Sequence, residues 1–373
     1  MSGPMKELRD KSITRALLKG IEDRLPGGGR PVRIMEVCGT HTMTIHRYGL
    51  KTMLEDAGVE MVSGPGCPVC ITPNSFHEAC LDLVTNRENF ILASFGDMTR
   101  VPTKKGSLQT VVPAPSSQVK IVYSPKEALD LARDHPDKEI VFFGVGFETT
   151  IPAIALTVKK AAHERLSNFS TLSALWLIPP ALRAILEAGE TVISGFLYPG
   201  HVSAIIGLEP YRFIAEEFRV AGSVAGFEPN DILLAISAIL DQIAQGKPRV
   251  HLEYSRVVDP QGNPVARTVI EEMLEPRDAF WRGLGRIPQS GLGFKDRYSP
   301  YDTLVKYALD VKEEADDLPG CRCGEVLRGL IPPPGCPLYG KRCRPDSPFG
   351  PCMVSFEGAC FIYHKYDRRR QRG

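Results

Sequence analysis

VRIMEVCGTHTMTIHR, residues 32 to 47, reads as a short apolar strand, a cysteine at its end, a glycine turn and the start of a helix near Thr40. Six further runs have the same buried-strand texture: Val59–Val62, Phe90–Phe95, Val119–Tyr123, Glu139–Phe143, Thr191–Phe196 and Val220–Ala225. Between several of them lie segments of helical period. Thr72-Pro73 precedes NSFHEACLDLVTN and Ser124-Pro125 precedes KEALDLARD, each predicting a hydroxyl cap with proline in the first turn. Strand, loop and helix in succession predict an α/β fold of βαβ units with mainly parallel sheets.

Working outward, the 373-residue chain suggests two or three domains at roughly 100–200 residues each. The expected division is a first α/β domain over residues 1–118, a second over 119–250, and a C-terminal region over 251–373. MEVCGTHTMT and FGVGFETTIP rhyme, as do VSGPG and ISGFLYPG, so the two α/β parts read as related; duplication and chance both remain open. One more amphipathic helix is expected from Pro300 to Ala315, with Leu304, Tyr307, Ala308 and Val311 on one face.

Hydrophobic residues make up 43% of the chain and the formal net charge is +1. The only basic run is the Arg368–Arg372 tail, so no nucleic-acid partner is expected. The opening MSGPMKELRDKSITRALLKG lacks the apolar core of a secretory signal. Pro179, Pro180, Arg183 and Asp241 interrupt the most apolar stretches, short of the roughly 18 residues a spanning helix needs. No membrane association and a cytoplasmic location are the expectation. In a reducing compartment, clustered cysteines point to metal binding or redox work rather than a disulfide framework.

The ten cysteines form two stations. Six lie in CRCGEVLRGLIPPPGCPLYGKRCRPDSPFGPCMVSFEGAC, residues 321 to 360. Structural zinc prefers close pairs with two to four intervening residues; only Cys321 and Cys323 are close here, and His364 is the sole histidine nearby. An iron–sulfur cluster tolerates such uneven spacing better. It needs four thiolates and leaves two, which are either a reversible redox pair or packed thiols.

The other station holds Cys38, Cys67, Cys70 and Cys80. A thiol at a helix N-terminus is expected to have a lowered pKa, with His41 placed to hold a proton; a buried cysteine capped by His41 is the plain alternative. SGPGCPVCITP puts Cys67 and Cys70 at dithiol spacing in a loop, after another strand. Both loops leave the carboxyl ends of strands, where open α/β sheets bind ligands, so three thiols and His41 are expected in one cleft. Cys80, on the helix face of Phe76, reads as core. Glu148 in GVGFETTIP, with Thr149 or Thr150 as cap, and His201 in LYPGHVSAIIG are further candidates or plain turns. GVGF lacks the three spaced glycines of a dinucleotide site.

CGTHT (38–42), GPGCPVC (64–70), GFETT (146–150), PGHVS (199–203) and the tail through GPCMVSFEGAC, in this order, resemble the HypD family, maturation proteins for nickel–iron hydrogenases. The resemblance implies two related α/β domains plus a region carrying a 4Fe–4S cluster. It implies a scaffold, formed with a small HypC partner, on which iron acquires cyanide and carbon monoxide. It further implies cyanide delivery from a HypE thiocyanate and transfer of the iron unit to the hydrogenase large-subunit precursor. On this likeness Cys38 is the expected iron ligand, with Cys67 and Cys70 a nearby dithiol and His41 and Glu148 positioning or protonating ligands. Cys323, Cys336, Cys343 and Cys360 are the expected cluster ligands, with Cys321 and Cys352 as a redox pair. The alternative functional class is a 4Fe–4S thiol–disulfide oxidoreductase resembling ferredoxin–thioredoxin reductase; a zinc-stapled scaffold is a third.

Overall fold

The computed structural model describes residues 7–25, 29–311 and 318–366. Two parallel sheets and one antiparallel hairpin make up its strands. The first sheet has the order β2-β1-β7-β8-β9: Val59–Ser63, Val32–Glu36, Gly195–Pro199, Ala221–Ala225 and Val250–Leu252. The second has the order β4-β3-β5-β6: Gln118–Ile121, Phe90–Ser94, Glu139–Gly146 and Phe169–Leu175. The strands β3, β6, β7 and β8 are buried along their whole length, which is why they read as continuous apolar runs rather than alternating ones. The fold is therefore α/β with mainly parallel sheets, as expected.

The expected sequential division does not coincide with the sheets. Residue 118 opens β4 and residue 250 opens β9, so both boundaries fall on strands. The first sheet takes β1 and β2 from early in the chain and β7 to β9 from much later, with the second sheet's strands between them in sequence. Both MEVCGTHTMT and FGVGFETTIP do follow a parallel strand into a helix, one in each sheet.

Each sheet buries two faces. Ile34, Leu197, Ala221 and Ala225 of the first sheet pack with Ile232, Ile236 and Ile239 of the Pro229–Gln245 helix. Ile91, Ala93, Ile140 and Phe142 of the second pack with Ile151, Ile154 and Val158 of the Ile151–Glu164 helix. The remaining faces share one core, in which Met35, Phe196 and Val224 meet Leu92, Phe143 and Leu172. Each such side chain fully buried contributes about 1.5–3 kcal/mol. All the tail cysteines except the half-buried Cys321 are buried in that same core, together with Cys67 and Cys70.

Several local expectations change. Ser124 caps its helix as expected, accepting from the Glu127 amide. Thr72 does not: the helix runs Asn74–Asn86 with Pro73 at the cap. Thr72 closes the preceding turn instead, donating to the Pro68 carbonyl at 2.7 Å and accepting from the Trp176 indole at 3.1 Å. The strand expected at Thr191–Phe196 begins only at Gly195. The helix expected from Pro300 to Ala315 is a 3-10 turn, Asp296–Tyr301, followed by the single turn Thr303–Lys306. Pro300 removes a backbone donor, and Ala308 is left-handed at φ 51°; residues 312–317 lie outside the described residues, as does the Arg368–Arg372 tail.

Sequence patterning gave no warning of the hairpin β10–β11, Leu274–Trp281 and Gly285–Phe294. It matters because its turn reaches both cysteine stations. Arg282 donates to the Ile71 carbonyl through its amide at 2.8 Å and to the Thr72 carbonyl through its guanidinium at 3.0 Å. Gly283, at φ 79°, lies so close to Gly324 that a side chain at either would meet the other's backbone. No helix among the described residues is long and apolar enough to cross a membrane.

Candidate functional site

Cys38 lies two residues beyond the end of β1 and occupies the cap position of the Gly39–Arg47 helix. It is 8% exposed. Burial pushes its thiol up to about 12, Glu357 adds to the rise, and the amides of Thr40 and His41 oppose it. The lowered pKa expected from the helix terminus is thus overturned: no cap hydrogen bond of normal geometry reaches the sulfur, and desolvation outweighs the dipole. The isolated site holds a neutral thiol.

The second loop is built onto the first. Gly39 donates its amide to the Gly66 carbonyl at 3.3 Å, and a Cβ at Gly66 would run into the backbone of Val37 and Cys38. Residues 68–71 form a helical turn rather than the loop expected, and Cys67 and Cys70 are joined as a disulfide, the oxidised form of the expected dithiol. Trp176, Trp281 and Arg282 buttress this turn from behind. Cys80 is fully buried, and burial alone raises its pKa, as a core thiol's should be.

His41 is fully buried, and its Nε2 lies 2.9 Å from the Gly226 carbonyl and 3.3 Å from that of Ala225. Two acceptors require the proton on Nε2, which leaves Nδ1 with its lone pair, buried and without a hydrogen-bond partner. Burial holds the ring neutral, down to about 4. Phe227 lies between it and His201, at ring separations of 4.8 and 3.9 Å.

Glu148 follows β5 and points into the shared core, 2% exposed. Its Oε1 accepts from the Ile178 amide at 2.9 Å, Oε2 has no partner, and burial pushes the acid up to about 8. Thr150 occupies the following helix cap without a side-chain bond, and Thr149 is not the cap residue.

Two carboxylates escaped the sequence reading. Glu36, buried in β1, accepts from the Cys38 amide at 3.1 Å and the Thr42 hydroxyl at 2.5 Å, fixing the thiol's loop from below. Burial lifts it to about 8. Glu357, lifted by burial to about 7, packs against Gly39 where a side chain would collide with it. The signal for Glu36 was an acid within an apolar strand; for Glu357, the lone acid of GPCMVSFEGAC.

The tail brings its thiols together at the other side of this station. Cys321 lies 3.3 Å from Cys323, and Cys323 also contacts Cys352 and Cys360. Cys343 is close enough to feel Cys321 and Cys336, and it accepts from the Phe349 amide at 3.3 Å. A Cβ at Gly350 would lie 2.7 and 2.8 Å from the Cys321 and Cys323 sulfurs, so only glycine fits there. Thiol-rich turns with a glycine against the sulfurs and an amide donated to one of them fit an iron–sulfur cluster by donor chemistry. Among the described residues no group of three or more His, Cys, Asp or Glu side chains is arranged as a metal site; the fit rests on the donor set. His364 faces Tyr339, at a ring separation of 6.2 Å. The Pro351–Val354 turn, carrying Cys352, packs against Pro68–Ile71, so the two stations adjoin.

The residues expected in one cleft are thus gathered but closed over. A cavity of about 680 Å3 lies elsewhere, beside Arg212, Arg249 and Arg267, and none of the expected site residues lines it.

Residues 12–367 match the family model HypD, described as the hydrogenase formation hypA family. The chain belongs to the HypD family. It is 41% identical over 372 residues to the hydrogenase maturation factor HypD of Rhodobacter capsulatus, covering 98% of each chain. It is 42% identical over 371 residues to HypD2 of Bradyrhizobium diazoefficiens, covering 98% of this chain and 97% of that one. The hydrogenase maturation factor HypD of Escherichia coli is 42% identical over 338 residues, 90% of each. A role in hydrogenase maturation follows from this membership.

Proposed function

We propose that this HypD-family chain is the scaffold and redox component on which the Fe(CN)2CO unit of a nickel–iron hydrogenase is assembled. On this reading it works in complex with a HypC-like partner, takes cyanide from a HypE-like thiocyanate, and passes the iron to a large-subunit precursor by way of the HypC-like protein. The observation that carries it is adjacency: the loop of the lone buried thiol Cys38 is bonded to the loop of the Cys67–Cys70 disulfide, and the thiol-rich tail packs against that disulfide's turn. A thiol–disulfide reductase needs the last two; it leaves Cys38, with its dedicated Glu36 and His41 frame, without a task.

Cys38 is the iron's ligand from this chain. Soft thiolate suits low-spin iron, and iron binding releases the proton that burial otherwise holds. His41, kept neutral by burial, positions ligands from one helical turn away. A cysteine of the HypC-like partner completes the pair of thiolates.

Release of cyanide from a carrier thiocyanate breaks an S–C bond and needs two electrons. Cys67 and Cys70 supply both on closing to the disulfide: of their two protons one goes to the carrier's thiolate and the other to water, and cyanide departs with its electron pair on carbon towards iron. Cys323, Cys336, Cys343 and Cys360 hold the 4Fe–4S cluster, with Cys321 and Cys352 as the adjoining redox pair. When bound, the cluster supplies single electrons for returning the disulfide to thiols. Glu148, protonated at neutral pH, orients ligands as a donor. The place of work is the cytoplasm.

Complementation tests this reading. In a strain lacking its own HypD-type factor, this chain should restore hydrogenase activity, and Cys67→Ser with Cys70→Ser should abolish it while the cluster absorption persists. Full activity of that double variant removes the dithiol from the mechanism.

A further inference from the structure

GKRCRPD, residues 340 to 346, sets Cys343 among cations. Lys341, Arg342 and Arg344 are all exposed, and among the described residues none of them is ion-paired. Arg322 and Arg328, earlier in the tail, are by contrast tied to Glu325 and Glu190. The one acid of the segment, Asp346, accepts from the Ser347 hydroxyl at 3.4 Å. On a chain of net charge +1 this is a local excess, and a patch of one sign steers a partner of the other.

Backbone bonds hold the face in shape. The amides of Lys341 and Cys343 donate to the Leu338 carbonyl at 3.2 and 2.9 Å, and Arg344 Nε donates to the Gly340 carbonyl at 3.1 Å. The Arg342 guanidinium lies 5.4 Å from the centre of the Phe349 ring, whose amide donates to the Cys343 sulfur at 3.3 Å. Gly350, the next residue, sits against the Cys321 and Cys323 sulfurs. Cys336 and Cys343 keep 9% and 8% exposure and Cys321 is half-buried, whereas Cys352 keeps none, so this is the side on which a cluster held there comes nearest to solvent. No large apolar side chain among residues 336–349 is exposed. A lasting interface needs such anchors at its centre, while redox encounters are small and guided by charge.

We infer that Lys341, Arg342 and Arg344 form the docking face for a small acidic one-electron carrier protein that reloads the cluster. This rests on the tail cysteines holding that cluster. Each encounter takes one electron from the carrier and adds one to the cluster. Two encounters, with two protons from water, return the Cys67–Cys70 disulfide to two thiols.

Stopped-flow reduction of the full, cluster-bearing chain tests it. The probe is reduced plant-type ferredoxin, an acidic carrier; the reference is photoreduced deazariboflavin, small and uncharged. Lys341→Glu with Arg342→Glu should slow reduction by ferredoxin about tenfold at low ionic strength. The difference should vanish at about 1 M salt, where the Debye length is about 3 Å. Bound iron and reduction by deazariboflavin should match the wild type. Arg212→Glu with Arg249→Glu, an equal change of charge beside the cavity, should leave both rates alone. An unchanged ferredoxin rate in the tail variant, equal slowing with deazariboflavin or in the cavity variant, or a wild type that deazariboflavin reduces and ferredoxin does not, would each overturn the inference. So would loss of the HypC-like partner in place of slower reduction. A chain purified anaerobically without iron and sulfide would instead defeat the reading of the tail cysteines.

Discussion

Burial and the helix terminus pull the Cys38 thiol in opposite directions, and burial wins. On the proposed reading, metal rather than the backbone draws the proton off. Cys38→Ser should therefore abolish maturation with the fold and tail cluster intact, because a serine hydroxyl is a poor ligand for soft iron. Cys80→Ala should mature normally and lose only packing stability; hydrogenase activity after complementation checks both. Glu148 gives a pH test. Its folded pKa, about 8, lies above the ordinary 4.5, so the folded chain binds that proton more tightly. The resulting stability is full below the unfolded value and lost as pH rises through the folded one. Between about pH 5 and pH 8 the wild type should lose on the order of a few kcal/mol more than Glu148→Gln. Equal pH dependence of thermal unfolding in the two proteins would place Glu148 in a wetter environment than the core described.

At the scale of elements, two loops and a hairpin turn are fitted by close backbone approach. Gly66→Ala would press a methyl group into the Cys38 backbone and should destabilise the chain by about 1–3 kcal/mol, read by denaturant unfolding. Gly350→Ala places a methyl group against two sulfurs and should lower bound iron without unfolding the sheets, read by anaerobic iron analysis beside far-ultraviolet circular dichroism. Wild-type iron content in that variant would move the cluster away from Cys321 and Cys323. The strands were legible in the sequence because burial on both faces leaves apolar runs, as in FILAS. The hairpin was not: β10 mixes buried Leu274, Ala279 and Trp281 with exposed Glu275 and Pro276 without regular alternation, and β11 contains glycines and a proline that mimic a loop. Arg282 was invisible for the same reason, since its work is done on carbonyls more than two hundred positions earlier.

Across the whole molecule, the chain makes the second sheet as an insertion between strands of the first, and this brings the ends of β1 and β5 and the cysteine tail into one core. The meeting of the Cys38 loop with the Cys67 and Cys70 loop was readable from their places after two strands; the packing of the tail against them was not, because sheet order is decided by tertiary pairing such as Met35 opposite Phe196. The most direct test is the infrared spectrum of the complex purified anaerobically with its HypC-like partner. The account predicts cyanide and carbonyl bands in the wild type and their loss in Cys38→Ala, with the cluster absorption retained; bands that survive in that variant would contradict it.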